Sequence, residues 1–308
     1  MKLKKPKFWN SSNFSIWPYL LFPISFFFFL LSLFKNIKKK NRFSIPIICV
    51  GNIYLGGTGK TPLASKIFEI CELLGKKPGF VKKYYSYLND EIKMLKKIGP
   101  LFVNKDRYSA IKSLMEEEKN VAILDDGFQD LSIEKDFSII CFNEKQWIGN
   151  GFLIPSGPLR ERLSSLKKAD CVFINGKKNL NIENKLLNKN KDIKIFYSTY
   201  IPQNIKEFHD KQIIAFAGIG NPSNFFDLLK ENKIQLMEEI SYPDHYNYSK
   251  EEINKLIKKS KEKNAILLTT EKDYSRIYYE YKNDIKCLKI KLMIENEKKF
   301  IEEVKKII

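Results

Sequence analysis

Two hydrophobic rhythms take turns along this chain. Nearly continuous apolar runs, rich in Ile, Val and Phe, occur at 45–50, 121–125, 137–142, 170–174, 194–199, 212–217, 265–269 and 285–291. Runs of that length and composition predict strands buried on both faces. Between them, apolar residues recur every third or fourth position over 60–74, 107–118, 223–231, 249–262 and 294–307, which predicts helices with one buried face. Strands alternating with helices imply mainly parallel sheets covered by helices, an α/β fold. The polar stretch 175–192 reads as a surface excursion. A second lobe is expected to begin near residue 200, giving 1–42 as an N-terminal segment and 43–198 and 199–308 as two α/β/α lobes.

One segment keeps neither rhythm. No charge falls between Lys7 and Lys35, and the twenty-one residues Phe14 to Phe34 are overwhelmingly apolar. As a helix they reach roughly 30 Å, about one hydrocarbon core. The expectation is an N-terminal hydrophobic membrane helix, with Trp9, Trp17 and Tyr19 in an interfacial belt and Pro18 and Pro23 allowing a kinked or half-inserted form. A buried core helix is the alternative. Lysines flank both ends, so charge does not orient it.

Charge narrows the partners. The 308 residues carry 54 Lys and Arg against 36 Asp and Glu, a net charge of +18. The lysines are spread along the whole chain without a basic–aromatic motif, so nucleic acid is not expected and an anionic membrane surface is. Five cysteines without a C-x-x-C pair point to a reducing compartment, and two histidines argue against a His-based metal site.

The chemistry starts at residues 51–62, GNIYLGGTGKTP. An apolar run precedes this loop and a helical pattern follows it, the setting a P-loop needs. Gly56, Gly57 and Gly59 would let backbone N–H groups converge on a phosphate at a helix N-terminus. Tyr54 stands where the strict pattern has glycine, and the bland alternative is an ordinary strand–helix turn. Downstream, Val121–Leu124 ends in Asp125-Asp126-Gly127-Phe128-Gln129, where a carboxylate could hold Mg²⁺ beside the Thr61 hydroxyl; a D-G turn is the alternative. Then comes GNGFLIPSGPLRE (149–161), which presents Arg160, suited to phosphate, and Glu161.

These three motifs, in this order behind a hydrophobic segment, resemble the tetraacyldisaccharide 4'-kinase family over nearly the whole chain. The resemblance implies a two-lobed P-loop kinase, a monomer at the bacterial inner membrane facing the cytoplasm. It would move the γ-phosphoryl group of ATP, with Mg²⁺, to the 4'-hydroxyl of a tetraacylated glucosamine disaccharide 1-phosphate. It implies that Tyr54, Leu55, Gly56, Gly57, Thr58, Gly59, Lys60 and Thr61 bind the nucleotide, that Thr61, Asp125 and Asp126 serve the metal, and that Lys60 and Arg160 act on the transferring group. It further implies Asp90 as the group activating the hydroxyl, in Asn89-Asp90-Glu91-Ile92, paired with His245 in Tyr242–Tyr248. Glu91, Gln129 and Glu161 would lie in supporting positions. Thr269–Asp273 matches another family segment, either near the nucleotide or capping a helix. Two positions depart from the family pattern: its S-R-G-Y-G is replaced around Val81–Tyr87, with Lys83 as the nearest substitute for the Arg, and its His is replaced by Asp130. The rival function is a membrane-tethered P-loop NTPase that recruits a partner.

Overall fold

The computed structural model describes residues 5–10, 14–34, 40–85 and 89–308. The chain begins with α1 (Trp17–Phe34), β1 (Ile47–Gly51), α2 (Lys60–Leu73), β2 (Pro78–Lys83), α3 (Asn89–Ile98) and β3 (Leu101–Asn104). It continues through α4 (Arg107–Glu116), β4 (Val121–Asp125), β5 (Phe137–Asn143), β6 (Cys171–Asn175), α5 (Leu180–Leu187) and β7 (Lys194–Pro202). There follow β8 (Ile213–Ala217), α6 (Pro222–Glu231), β9 (Leu236–Ser241), α7 (Lys250–Glu262) and β10 (Ile266–Thr270). The last elements are α8 (Glu271–Tyr274), β11 (Ile285–Leu288), β12 (Ile290–Ile294) and α9 (Glu297–Lys305).

Two compact units result. The larger comprises Lys5–Tyr84, Ile98–Thr199 and Leu292–Ile308, and the smaller Tyr85–Lys97 and Tyr200–Lys291. The boundary expected near 200 is close to one of these breaks, but the division is not sequential. Tyr85–Lys97 joins the smaller unit, the C-terminal helix belongs to the larger, and residues from Lys5 onward are part of the larger unit rather than a separate segment.

The larger unit is built on an eight-stranded sheet in the order β12-β7-β6-β5-β1-β4-β2-β3. The pairings β1 with β4 and β5, β2 with β3 and β4, and β6 with β5 and β7 are all parallel. Strand alternation divides the side chains between two faces. Ile47, Cys49, Val81, Leu124 and Val172 join a core with Ile111 and Leu114 of α4 and Ile182 and Leu186 of α5. The residues between them turn the other way, where Phe80 stacks on Phe68 of α2 and Phe173 meets Phe300 of α9. The smaller unit has a four-stranded sheet, β11-β10-β8-β9, with every neighbour parallel. Ile213, Ala215 and Ala217 face α6, whereas Ile214 and Phe216 face α7. That is an α/β/α layering.

Several elements escaped the hydrophobic pattern. Strand β2 carries Pro, Gly and two Lys, α3 is mostly polar, and β9 alternates half-buried with exposed positions. The polar stretch 175–192 contains α5, with only Ile182 and Leu186 buried. The run 285–291, read as one strand, breaks at Lys289 into β11 and β12, which join different sheets.

The membrane-spanning expectation requires correction. Among the described residues, no helix is long and apolar enough to cross a membrane. Helix α1 has 18 residues, about 27 Å of rise. One flank is already engaged by protein. Ser25 is buried, its hydroxyl 2.8 Å from that of Ser156 and 3.0 Å from the Leu153 carbonyl. Tyr19 and Phe22 meet the Phe152 ring, and the Arg162 guanidinium lies 3.6 Å over Phe29. Trp9, expected at a membrane interface, is instead buried and donates to the Pro155 carbonyl at 3.0 Å. The opposite flank leaves Trp17, Leu20, Phe27 and Phe28 more than half exposed.

Gly51, at the end of β1, seats the phosphate loop against the D-D-G-F-Q turn. A Cβ there would stand 2.4 Å from the Phe128 Cβ. Gly51→Ala is therefore expected to cost about 1–3 kcal/mol through overpacking, measured as a lower urea midpoint with an unchanged m-value.

Candidate functional site

In the larger unit, the loop after β1 reaches α2 through Gly56, Gly57 and Gly59, whose φ angles are +74°, +69° and +89°. These left-handed positions are open to glycine at little strain, and they turn successive N–H groups inward. Helix α2 then starts on Lys60 and Thr61, with Gly59 as its cap. The first half of the loop is braced from outside. Leu55 N–H donates to the Pro158 carbonyl at 2.9 Å, Arg160 N–H to the Ile53 carbonyl at 2.7 Å, and Tyr54 pairs with Leu159. The G-N-G…P-L-R-E segment is thus laid along the phosphate loop. Tyr54, which breaks the strict motif, is fully buried, and its hydroxyl donates to Asn10 at 2.6 Å. Only its main chain could reach a nucleotide.

The two adjacent carboxylates, both expected at the metal, part company. Asp125 closes β4 on the α2 face of the sheet, where its Oδ2 accepts from Thr61 at 3.3 Å and from Lys82 Nζ at 2.5 Å. Its Oδ1 is buried with no hydrogen-bond partner. Asp126 has a left-handed φ of +58°, which swings it out of the strand. Both its oxygens meet Arg160 Nη1, at 2.9 and 3.0 Å, and Lys60 Nζ lies 3.7 Å away. Burial would raise the Asp126 pKa, but Lys60, Arg160 and Lys82 outweigh it and hold it at about 2. Three cations against two carboxylates leave one net positive charge for a polyphosphate.

Supporting residues complete the frame. Gln129 donates to the Asn52 carbonyl at 2.7 Å, and the Asn52 amide donates to Thr58 at 2.9 Å. Burial raises the Glu161 carboxyl, opposed by Lys168 and by hydrogen bonds with Gln129 and Ser165. Asp130 pairs with Arg107 at 3.0 Å, while Arg107 also donates to the Asp126 carbonyl at 2.7 Å. The cation that enters from β2 is Lys82, not Lys83. In the parallel register Val81 faces Leu124, so the next residue, Lys82, falls beside Asp125. A lysine directly following the apolar Phe80-Val81 was the available signal.

In the smaller unit, a second charged group assembles around Asp90 in the first turn of α3. His245 Nδ1 lies 3.0 Å from each Asp90 oxygen, and Arg276 Nε donates to Oδ2 at 3.0 Å. Lys272 Nζ is 3.3 Å from Glu91 Oε1, 3.3 Å from Asp244 Oδ1 and 3.2 Å from His245 Nε2. His245 has a φ of +55°, and its N–H bonds to the Gly218 carbonyl at 3.1 Å and Asp244 Oδ1 at 3.0 Å. Arg276 is secured by the Gly218 and Tyr246 carbonyls at 3.0 and 3.2 Å and by Asp273 at 3.2 Å. Within Thr269–Asp273 both readings apply to different residues: Thr270 caps α8, whereas Lys272 joins the charged group. Sequence reasoning passed over Arg276, which sits three residues beyond Asp273 outside any motif.

Burial raises the Asp90 carboxyl, but the His245 hydrogen bond, Lys272 and Arg276 prevail and lower it to about 2. Asp244 is lowered against burial by Lys272, and Lys272 is raised against burial by Asp244, Glu91 and Asp90. Asp90 and Asp126 thus carry folded-state values near 2 against an ordinary 3.8. As pH falls the unfolded chain takes up these protons first. Each carboxylate therefore contributes roughly 2 kcal/mol above about pH 4, lost as pH falls through about 2. Urea titrations between pH 5 and 2 should show this loss, and it should be smaller in Asp126→Asn.

A family model described as tetraacyldisaccharide-1-P 4'-kinase matches residues 17–308. A tetraacyldisaccharide 4'-kinase of Pelagibacter ubique (strain HTCC1062) is 45% identical over 313 residues, covering 100% of this chain and 99% of that one. One from Rickettsia canadensis (strain McKiel) is 34% identical over 326 residues, covering 99% and 97%. The crystal structure of LpxK from Aquifex aeolicus, an apo form in complex with ATP, aligns with a TM-score of 0.72 at 25% identity, covering 94% of this chain and 99% of that one.

Proposed function

The chain belongs to the tetraacyldisaccharide 4'-kinase family, and from that premise we propose how its residues divide the reaction. The enzyme transfers the γ-phosphoryl group of ATP to the 4'-hydroxyl of a tetraacylated glucosamine disaccharide 1-phosphate in lipid A biosynthesis. The observation that carries the donor assignment is the left-handed glycine loop delivering Lys60 and Thr61 beside Asp125 and Asp126. The loop N–H groups hold the phosphates, Lys60 takes the β- and γ-oxygens, and Arg160 neutralises charge on the transferring group.

Thr61 and Asp125 suit Mg²⁺. Both are hard oxygen donors, and Asp125 Oδ1 is buried without a partner. Among the described residues no three His, Cys, Asp or Glu side chains form a metal cage. Held by Thr61 and Asp125, that ion would supply charge neutralisation to the transferring phosphate. Asp126, committed to Lys60 and Arg160, aligns those cations.

On the acceptor side, Asp90 takes the hydroxyl proton. With a carboxyl near 2 it is a weak base towards a resting hydroxyl. The hydroxyl becomes acidic as its oxygen bonds to phosphorus and the bond to the bridging oxygen of ADP breaks, and the proton moves then. Incubation with labelled ATP, the disaccharide and Mg²⁺ should yield labelled lipid, and excess EDTA should suppress it. Labelling undiminished by EDTA would remove the metal from the reading.

Helix α1 supports a location at a membrane surface, and the use of ATP favours the cytoplasmic face of the inner membrane. Its exposed apolar flank and the net charge of +18 suit an interfacial helix on anionic lipid, rather than a span. Leu20→Ser with Phe27→Ser should release the enzyme from anionic vesicles in a sedimentation assay; retention of wild-type binding would end this reading.

A further inference from the structure

The hydrogen-bonding capacity of the groups around His245 decides where its proton sits. Asp90 is ionised and so accepts only, and both its oxygens lie 3.0 Å from Nδ1. Nδ1 must therefore carry hydrogen. On the other side of the ring, Nε2 is 3.2 Å from Lys272 Nζ. An ammonium has three donors and no acceptor, so Nε2 must offer its lone pair. The three Lys272 donors have three acceptors: Nε2, Glu91 Oε1 at 3.3 Å and Asp244 Oδ1 at 3.3 Å. Those two carboxylates, with Asp90 close by, keep the lysine charged. The backbone cooperates, because the His245 N–H is tied to Gly218 and Asp244 and orients the ring.

We propose that Lys272 is a positioning residue that holds His245 as its neutral Nδ1–H tautomer, so that the imidazole serves Asp90 as a hydrogen-bond donor and does not receive its proton. Nδ1 has no vacancy for the proton that Asp90 takes from the acceptor hydroxyl. That proton stays on the Asp90 carboxyl until it leaves to solvent after transfer. The imidazole instead orients the carboxylate, and Arg276 Nε fixes the same group from the other side. The kinetic consequence rests on the acceptor-side reading above, whereas the tautomer itself does not.

The chain has two histidines, so ¹⁵N spectra of the full-length, histidine-labelled enzyme can be assigned with one variant, His209→Gln. The expected pattern for His245 is a protonated Nδ1 and an unprotonated Nε2 at pH 7.5. Lys272→Met frees Nε2 while Asp90 still demands a hydrogen on Nδ1, so it should shift the pattern towards the imidazolium, with both nitrogens protonated. It should also lower kcat on the order of 10-fold or more, as loss of a histidine's outer partner does elsewhere, with the KM for ATP unchanged. Lys272→Arg, which keeps a cationic donor, should restore the wild-type pattern and most of kcat. An Nε2–H or doubly protonated His245 in the wild type would overturn the proposal, as would an unchanged spectrum in folded Lys272→Met. If the wild type shows the expected tautomer but Asp90→Asn retains full turnover, the tautomer stands and the acceptor-side reading fails.

Discussion

Lys60→Met is expected to slow phosphoryl transfer by about a thousandfold, roughly 4 kcal/mol of transition-state stabilisation. The size follows from the site's arrangement. Lys60 is the first residue of α2, delivered by three left-handed glycines, and its nearest carboxylate, Asp126, stands 3.7 Å away. That is a loose pairing, while Arg160 holds Asp126 at 2.9 Å. The ammonium is thus placed but not consumed, and it can turn to a phosphate. Methionine keeps the length and helix preference of lysine, so the fold should survive while the charge is lost. The variant should also raise the Asp126 carboxyl and weaken the acid-dependent part of its stability, because Lys60 is the first of the cations lowering it. Single-turnover rates with saturating ATP are the measurement. A rate within tenfold of wild type would take Lys60 out of the transition state.

Asp90→Asn should reduce kcat by about 10²- to 10⁴-fold, the range for a removed general base, with the KM for ATP unchanged. The substitution keeps shape and removes charge and one acceptor. His245 Nδ1–H and Arg276 Nε both donate towards this carboxylate, so an asparagine amide nitrogen must face one of them. Lys272 also loses a nearby negative charge at 3.8 Å. A stability loss of about 1–3 kcal/mol is therefore expected alongside the rate effect, and urea unfolding separates the two. A folded variant that keeps a tenth or more of wild-type turnover would rule out Asp90 as the base.

The donor group was legible because its chemistry is local. Residues 56–61 form one turn between one strand and one helix, so backbone geometry follows from glycine placement alone. Asp125 was found the same way, as the charge ending an apolar strand. Lys82 was not, because its partner lies 43 residues away and the two meet only when β2 and β4 pair in parallel register. The acceptor group shows the same limit more strongly. Asp90, His245, Lys272 and Arg276 come from α3, a loop after β9, α8 and the turn beyond it, separated by up to 186 positions. No periodicity connects them. The resemblance supplied Asp90 and His245, and it said nothing of Arg276.

The amino-acid sequence by itself determined the alternation of strands and helices, the phosphate-binding turn and the carboxylate pair after β4, since each depends on neighbouring residues and on the preference of apolar runs for burial. Tertiary structure alone decided the rest. It sent Asp125 and Asp126 to different partners, because a strand ends at the first and a left-handed turn holds the second. It set α1 with one flank on protein through Ser25 and the other exposed. It also surrounded Asp90 with cations from distant elements. Charges in water carry little information about one another; once buried at about 3 Å, each sets the state of the next.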